Sequence, residues 1–180
     1  MKILFVGPMG AGKTTAISAI SDIEPVSTEA LNSDKQQSNK ATTTVALDYG
    51  EIVLDGGDTL MLYGIPGQER FSFMWPILGQ GALGAILLMN TDLLSSEQDL
   101  INYLDAFADL VAQGTVVIGV WSADAAADNI VDRYQVLLEK RNLALPIMHV
   151  DVRDKQHVLM LIEMLIVNIE VNQLSAGCQL

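Results

Sequence analysis

Gly7-Pro8-Met9-Gly10-Ala11-Gly12-Lys13-Thr14 follows directly on the apolar run Ile3-Leu4-Phe5-Val6 and satisfies every fixed position of the phosphate-loop pattern G-x-x-x-x-G-K-[ST]. The residue types answer to the physics of holding a polyphosphate. Glycines let the backbone wrap so that its N–H groups face the β-phosphate, the Lys13 ammonium neutralises β- and γ-oxygens, and the Thr14 hydroxyl is a Mg²⁺ ligand. Gly7, Met9, Gly10, Ala11, Gly12, Lys13, Thr14 and Thr15 are therefore the expected nucleotide contacts, with Thr14 doubling as the metal ligand. Behind them, Thr15-Ala16-Ile17-Ser18-Ala19-Ile20 reads as the helix that the pattern needs after its loop.

Working outward, short apolar runs alternate with helical patterns. Strands are expected over 2–6, 43–54, 59–65, 85–89, 115–120 and 146–150, and helices over 12–23, 97–111, 130–140 and 155–171. Strands of Val, Ile and Leu flanked by helices imply an α/β fold with a mostly parallel sheet covered on both faces. Asp55-Gly56-Gly57-Asp58, the link between the second and third strands, has the length of a hairpin and not of a crossover helix. Those two strands should pair antiparallel, giving six strands with one antiparallel edge strand. The polar stretch 24–42 carries no periodicity and is expected to be a mobile loop joining the phosphate-binding helix to the second strand.

Composition narrows the class. A chain of 180 residues, half of them hydrophobic, suits a single domain over 1–180. Its formal net charge of −12 argues against nucleic acid or an anionic membrane surface as the main partner, so bound phosphate has to be held locally by the loop. The single cysteine, Cys178, allows no internal disulfide, and the chain enters a core strand at once, so a cytoplasmic location is expected. The apolar tract 158–171 is read as too short to span a bilayer, and the Cys-Gln-Leu end does not fit a prenylation signal, so no stable membrane anchor is expected.

A second constellation lies past the third strand: Gly64-Ile65-Pro66-Gly67-Gln68-Glu69-Arg70-Phe71. With the phosphate loop, the threonines Thr42, Thr43 and Thr44 and the hairpin between them, it resembles the Ras-like small GTPases of the P-loop NTPase fold. The likeness covers nearly the whole chain and is strongest to the bacterial gliding-motility (MglA-like) branch and the predicted bacterial ATP/GTP-binding proteins, which carry P-G-Q in place of A-G-Q. It implies that Gly67 offers its N–H to the γ-phosphate, that Gln68 orients the attacking water, and that Thr44, with Thr43 a close second, meets Mg²⁺ from switch I. Glutamine suits that task because its amide accepts and donates at once. The resemblance also implies GTP and GDP as ligands, an activator of the roadblock-domain type, and a role in polarity or pilus motility.

Departures from the family pattern carry information. The aspartate usually found three residues before the switch glycine is replaced by Gly64, which leaves metal affinity either weaker or rebuilt elsewhere. Met9 stands where efficient hydrolysers carry glycine, and its side chain should crowd Gln68 or an incoming arginine, so unaided hydrolysis is expected to be slow. In place of N-K-x-D the chain reads Trp121-Ser122-Ala123-Asp124; Asp124 keeps the guanine contact and GTP favoured over ATP. Trp121 has two open roles, covering the base or packing beneath the loop. The N–H near Val152 is the candidate for the guanine carbonyl. Arg70 is read as a surface ion pair before an internal arginine finger, and His149 and His157 as ordinary histidines, since neither has a second ligand at zinc spacing.

Two surfaces suggest protein partners. The stretch 71–78, rich in aromatic residues and Met, should pack half inward and offer the rest to an effector. On the last helix, Val158, Ile162, Leu165 and Ile169 form the core stripe, while Met160, Met164, Val167 and Val171 form a second stripe open to a partner or a second copy. Three functions compete: a GTP-hydrolysing switch, a nucleotide-binding scaffold without turnover, and an ATP-using P-loop protein. Binding of GTP, GDP and ATP, followed by single-turnover hydrolysis, separates them.

Overall fold

The apolar run ahead of the phosphate loop becomes the central strand, β1 (Lys2–Val6), of a mixed sheet. The computed structural model describes residues 1–27, 47–91, 97–122 and 128–177. In chain order the elements are β1, α1 (Lys13–Ile20), β2 (Val26–Ser27), β3 (Asp48–Val53), β4 (Thr59–Gly64), α2 (Trp75–Gly79), β5 (Gly84–Asn90), α3 (Glu97–Ala106), α4 (Ala108–Ala112), β6 (Val116–Trp121), α5 (Asp128–Lys140), β7 (Ile147–His149) and α6 (Lys155–Gly177). A 3₁₀ turn, Glu69–Met74, leads into α2.

The sheet order is β2-β3-β4-β1-β5-β6-β7. β4, β1, β5, β6 and β7 run parallel, and β3 runs against them, pairing Val53 with Thr59 across the short hairpin. The six expected strands are present, though the second begins at Asp48 among the described residues, and two residues, Val26 and Ser27, add a seventh strand outside β3. β3 is therefore one place in from the edge. Polar flanks hide so short a strand from any periodicity count.

Strand alternation sorts the core into two layers. Ile3 and Phe5 of β1 point toward α1 and α6 with Leu62, Ile86 and Leu88, whereas Leu4 and Val6 point toward α2 to α5 with Leu87, Met89 and Ile118. The helix expected over 97–111 breaks at Phe107, whose backbone leaves the helical region (φ −111°, ψ 34°) while its ring is buried in stacked contact with Trp75. α6 is longer than expected and runs to Gly177. Its Lys155–Leu174 stretch is long and apolar enough to cross a membrane, contrary to the expectation from the shorter tract, yet Val158, Leu161, Ile162 and Leu165 are buried against the sheet. Of the second stripe, Met160, Val167 and Val171 are exposed, joined by Ile166 and Leu174, but Met164 packs partly onto the core.

Candidate nucleotide-binding site

The phosphate loop leaves the C-terminal end of β1 and enters α1 through Gly12, whose left-handed φ of 87° favours glycine. A Cβ there would lie 2.8 Å from Cγ2 of Val152, so the loop is packed from below as well as turned. Two side chains hold it from the ends of neighbouring strands. The indole N–H of Trp121 donates to the Ala11 carbonyl at 2.9 Å, and the Asn90 amide donates to the Gly10 carbonyl at 3.1 Å. Of the two roles open to Trp121, the structure therefore places it beneath the loop.

Lys13 folds back across the loop and donates to the carbonyls of Gly7 and Pro8, each at 2.7 Å. Burial lowers its pKa from 10.5 to about 8, against the opposing pull of the Asp48 carboxylate. A buried ammonium whose hydrogen bonds go to carbonyl oxygens is poised for an anion: phosphate oxygens would add to the counter-charge of Asp48. Thr14 and Thr15 lie exposed on the first turn of α1, where backbone N–H groups lack intrahelical partners and favour negative charge.

Across the loop sits the second constellation. A Cβ on Gly67 would fall 2.3 Å from the Gly7 carbonyl oxygen and 2.6 Å from the Met9 nitrogen, so only glycine lets this chain lie directly on the phosphate loop. The neighbouring Gln68 brings its amide nitrogen to 3.7 Å from the Met9 sulfur. Two aromatic side chains fix the backbone around it: Tyr103 donates to the Gly67 carbonyl and Trp75 to the Pro66 carbonyl, each at 3.1 Å, with their rings stacked 4.5 Å apart. Beyond them Phe71 and Trp75 turn inward, while Phe73 and Ile77 are about two-thirds exposed (65% and 63%). Arg70 stands with its guanidinium 4.7 Å from the Phe71 ring centroid, a cation–π contact.

The metal side of the site has a donor set of hard oxygens. The Thr14 hydroxyl donates to the Asp48 carboxylate at 2.5 Å. A hydroxyl and one carboxylate beside a polyphosphate fit Mg²⁺, which takes few protein ligands and relies on phosphate oxygens and water. Among the described residues no three His, Cys, Asp or Glu side chains group as a metal site, and Mg²⁺ at a phosphate loop needs no such group. Thr42, Thr43 and Thr44 lie outside the described residues, as does Asp124. Val152 is buried against the loop, in the turn between β7 and α6. Beside it the Arg153 guanidinium holds the Asp151 carboxyl down at about 2, and His157 accepts from the Asp151 N–H at 3.2 Å.

The sequence model of a family described as conserved hypothetical ATP-binding proteins matches residues 5–175. The chain belongs to this family. No curated protein matches. Among solved structures, the cytosolic domain of the Thermotoga maritima FeoB iron transporter in its GMPPNP form is similar, with a TM-score of 0.59 and 19% identity. The match spans 92% of this family member and 62% of the transporter domain, less than two thirds of it, and at that identity it supports the α/β P-loop NTPase fold alone.

Three residues at this family member's loop escape a reading of the sequence for their role. Asn90 is a polar end to an otherwise apolar buried strand, a signal that was there to be weighed. Trp121 offered two placements, and only a contact separates them. Asp48 is 34 positions from Thr14 and becomes a partner only through the register of β3 on β4.

Proposed function

We propose that the chain is a guanine-nucleotide-binding switch that hydrolyses GTP to GDP and phosphate, slowly when unaided. The observation that carries this reading is the seating of Gly67 and Gln68 directly on the phosphate loop. That is where a terminal phosphate has to be sensed and where its attacking water has to be held. Lys13 exchanges its carbonyl partners for phosphate oxygens, and the N–H groups of the loop and of the first turn of α1 cradle the β-phosphate. Water oxygen attacks the γ-phosphorus as the bond to the β-bridging oxygen breaks, and the water proton leaves on the phosphate released.

Gln68 orients that water. In the structure its amide rests against the Met9 sulfur, and freeing it costs activation energy, which supports a slow intrinsic rate. Thr14 and Thr44 would hold Mg²⁺, which would supply positive charge against that of the phosphates. Terminal phosphate and Gly67 compete for the same side of the loop, so GTP and GDP set different positions for Gly67 and for the Phe73 and Ile77 surface beyond it. That surface is the docking place of an effector or an activator of the roadblock-domain type, in the cytoplasm.

A second reading, ATP in place of GTP, is favoured by Trp121, which is engaged beneath the loop where the guanine-reading pattern has asparagine, and by the family's description. Asp124 and the Val152 N–H supply the guanine contacts in the first reading. Competition of GTP, GDP and ATP for one fluorescent guanine nucleotide decides between them; equal displacement by ATP sinks the guanine assignment.

A further inference from the structure

At the end of β4, where an acid beside the phosphate loop is expected, stands Gly64. Its register partner on β3 is Asp48. Residues directly opposite in an antiparallel pair project from the same face, here the face of α1. The Asp48 side chain lies across the space above Gly64: a Cβ on Gly64 would sit 2.9 Å from Asp48 Cβ, 3.0 Å from its Oδ2 and 3.1 Å from Ile17 Cδ1. The same Oδ2 accepts from the Thr14 hydroxyl at 2.5 Å, and the charge of Asp48 is felt at Lys13.

We propose that Asp48, supplied by the antiparallel strand β3, is the acid that positions Mg²⁺ and its bound water at this loop, and that Gly64 is glycine because the carboxylate occupies its side-chain space. In P-loop proteins the loop hydroxyl and one strand-end aspartate share the metal. In this chain the acid comes from one strand further out, and its carboxylate still meets the loop hydroxyl.

This inference rests on the nucleotide-binding reading above, and the test separates the two. The full-length chain is titrated with a fluorescent GDP or GTP analogue in excess Mg²⁺ and in EDTA, and Mn²⁺ bound by the nucleotide complex is counted by EPR. For Asp48→Asn, Mn²⁺ affinity should fall about 10- to 100-fold, the range for loss of a residue that orients a metal's ligands, a loss well beyond any change in nucleotide affinity in EDTA. The double exchange Asp48→Gly with Gly64→Asp should regain most of the metal affinity, since the carboxylate returns to the same face from the other strand. Unchanged Mn²⁺ affinity in Asp48→Asn overturns the assignment, as does an equal loss in EDTA, which would make Asp48 a support for the loop alone. If Asp48→Asn does not fold, a double exchange that folds without Mn²⁺ binding overturns it. Failure of the wild type to bind nucleotide in either condition overturns the function proposed above instead.

Discussion

Replacing Trp121 by Phe removes one hydrogen bond to the phosphate loop and keeps most of the ring. In the structure the indole N–H reaches the Ala11 carbonyl at 2.9 Å, and Ala11 is fully buried. Phe cannot donate, so a buried acceptor loses its donor, a cost of about 1–3 kcal/mol. The smaller ring forfeits some apolar contact as well, at about 25 cal/mol per Å². A net loss near 2 kcal/mol lowers the melting temperature of a domain this size by about 4–8 °C. Thermal denaturation of the nucleotide-free Trp121→Phe chain by circular dichroism reads this directly. Nucleotide affinity should drop together with stability, equally for guanine and adenine nucleotides, because the loop and not the base is what Trp121 supports. A melting temperature within 1 °C of wild type, accompanied by altered preference between GTP and ATP, would rule out the support role and return Trp121 to the base.

Other outcomes follow from the same contacts. Gly67→Ala sets a methyl against backbone atoms of the phosphate loop that cannot swing aside, so the free chain should lose about 1–3 kcal/mol in thermal or urea unfolding, and GTP affinity should fall more than GDP affinity. Met9→Gly frees the Gln68 amide from its thioether contact; release of about 1 kcal/mol corresponds to about fivefold faster single-turnover hydrolysis. Lys13, with a pKa of about 8 in the folded free chain against 10.5 unfolded, costs stability in full below pH 8, a cost that fades as pH rises toward 10.5. Phosphate raises that pKa again, so nucleotide binding at pH 8 should take up about half a proton, measured by calorimetry in buffers of different ionisation enthalpy, and Lys13→Arg should take up none.

Features set by local pattern are legible in the sequence. The phosphate loop announced itself in eight consecutive residues, and the four-residue link 55–58 left the antiparallel pairing of β3 and β4 as the only closure its length permits. What depended on distant neighbours was not. β2 is two residues held by ladder bonds to Tyr49 and Asp48, with no periodicity of its own. The break at Phe107 comes from a ring drawn into the core beside Trp75, which helical spacing over 97–111 does not register. The missing acid at position 64 was visible, but its replacement was not, because a residue facing Thr14 from another strand can be found only once the register is known.

We propose that Gln68, seated on the phosphate loop, orients the water that cleaves GTP. Single-turnover hydrolysis of γ-labelled GTP by the full chain with Mg²⁺, comparing wild type with Gln68→Ala, tests it most directly. The wild type should release phosphate in a first-order process over minutes to hours and the variant at a rate lower by at least about tenfold, with GTP affinity little changed. Equal rates in the two chains, or no phosphate release from bound GTP in the wild type, would contradict it.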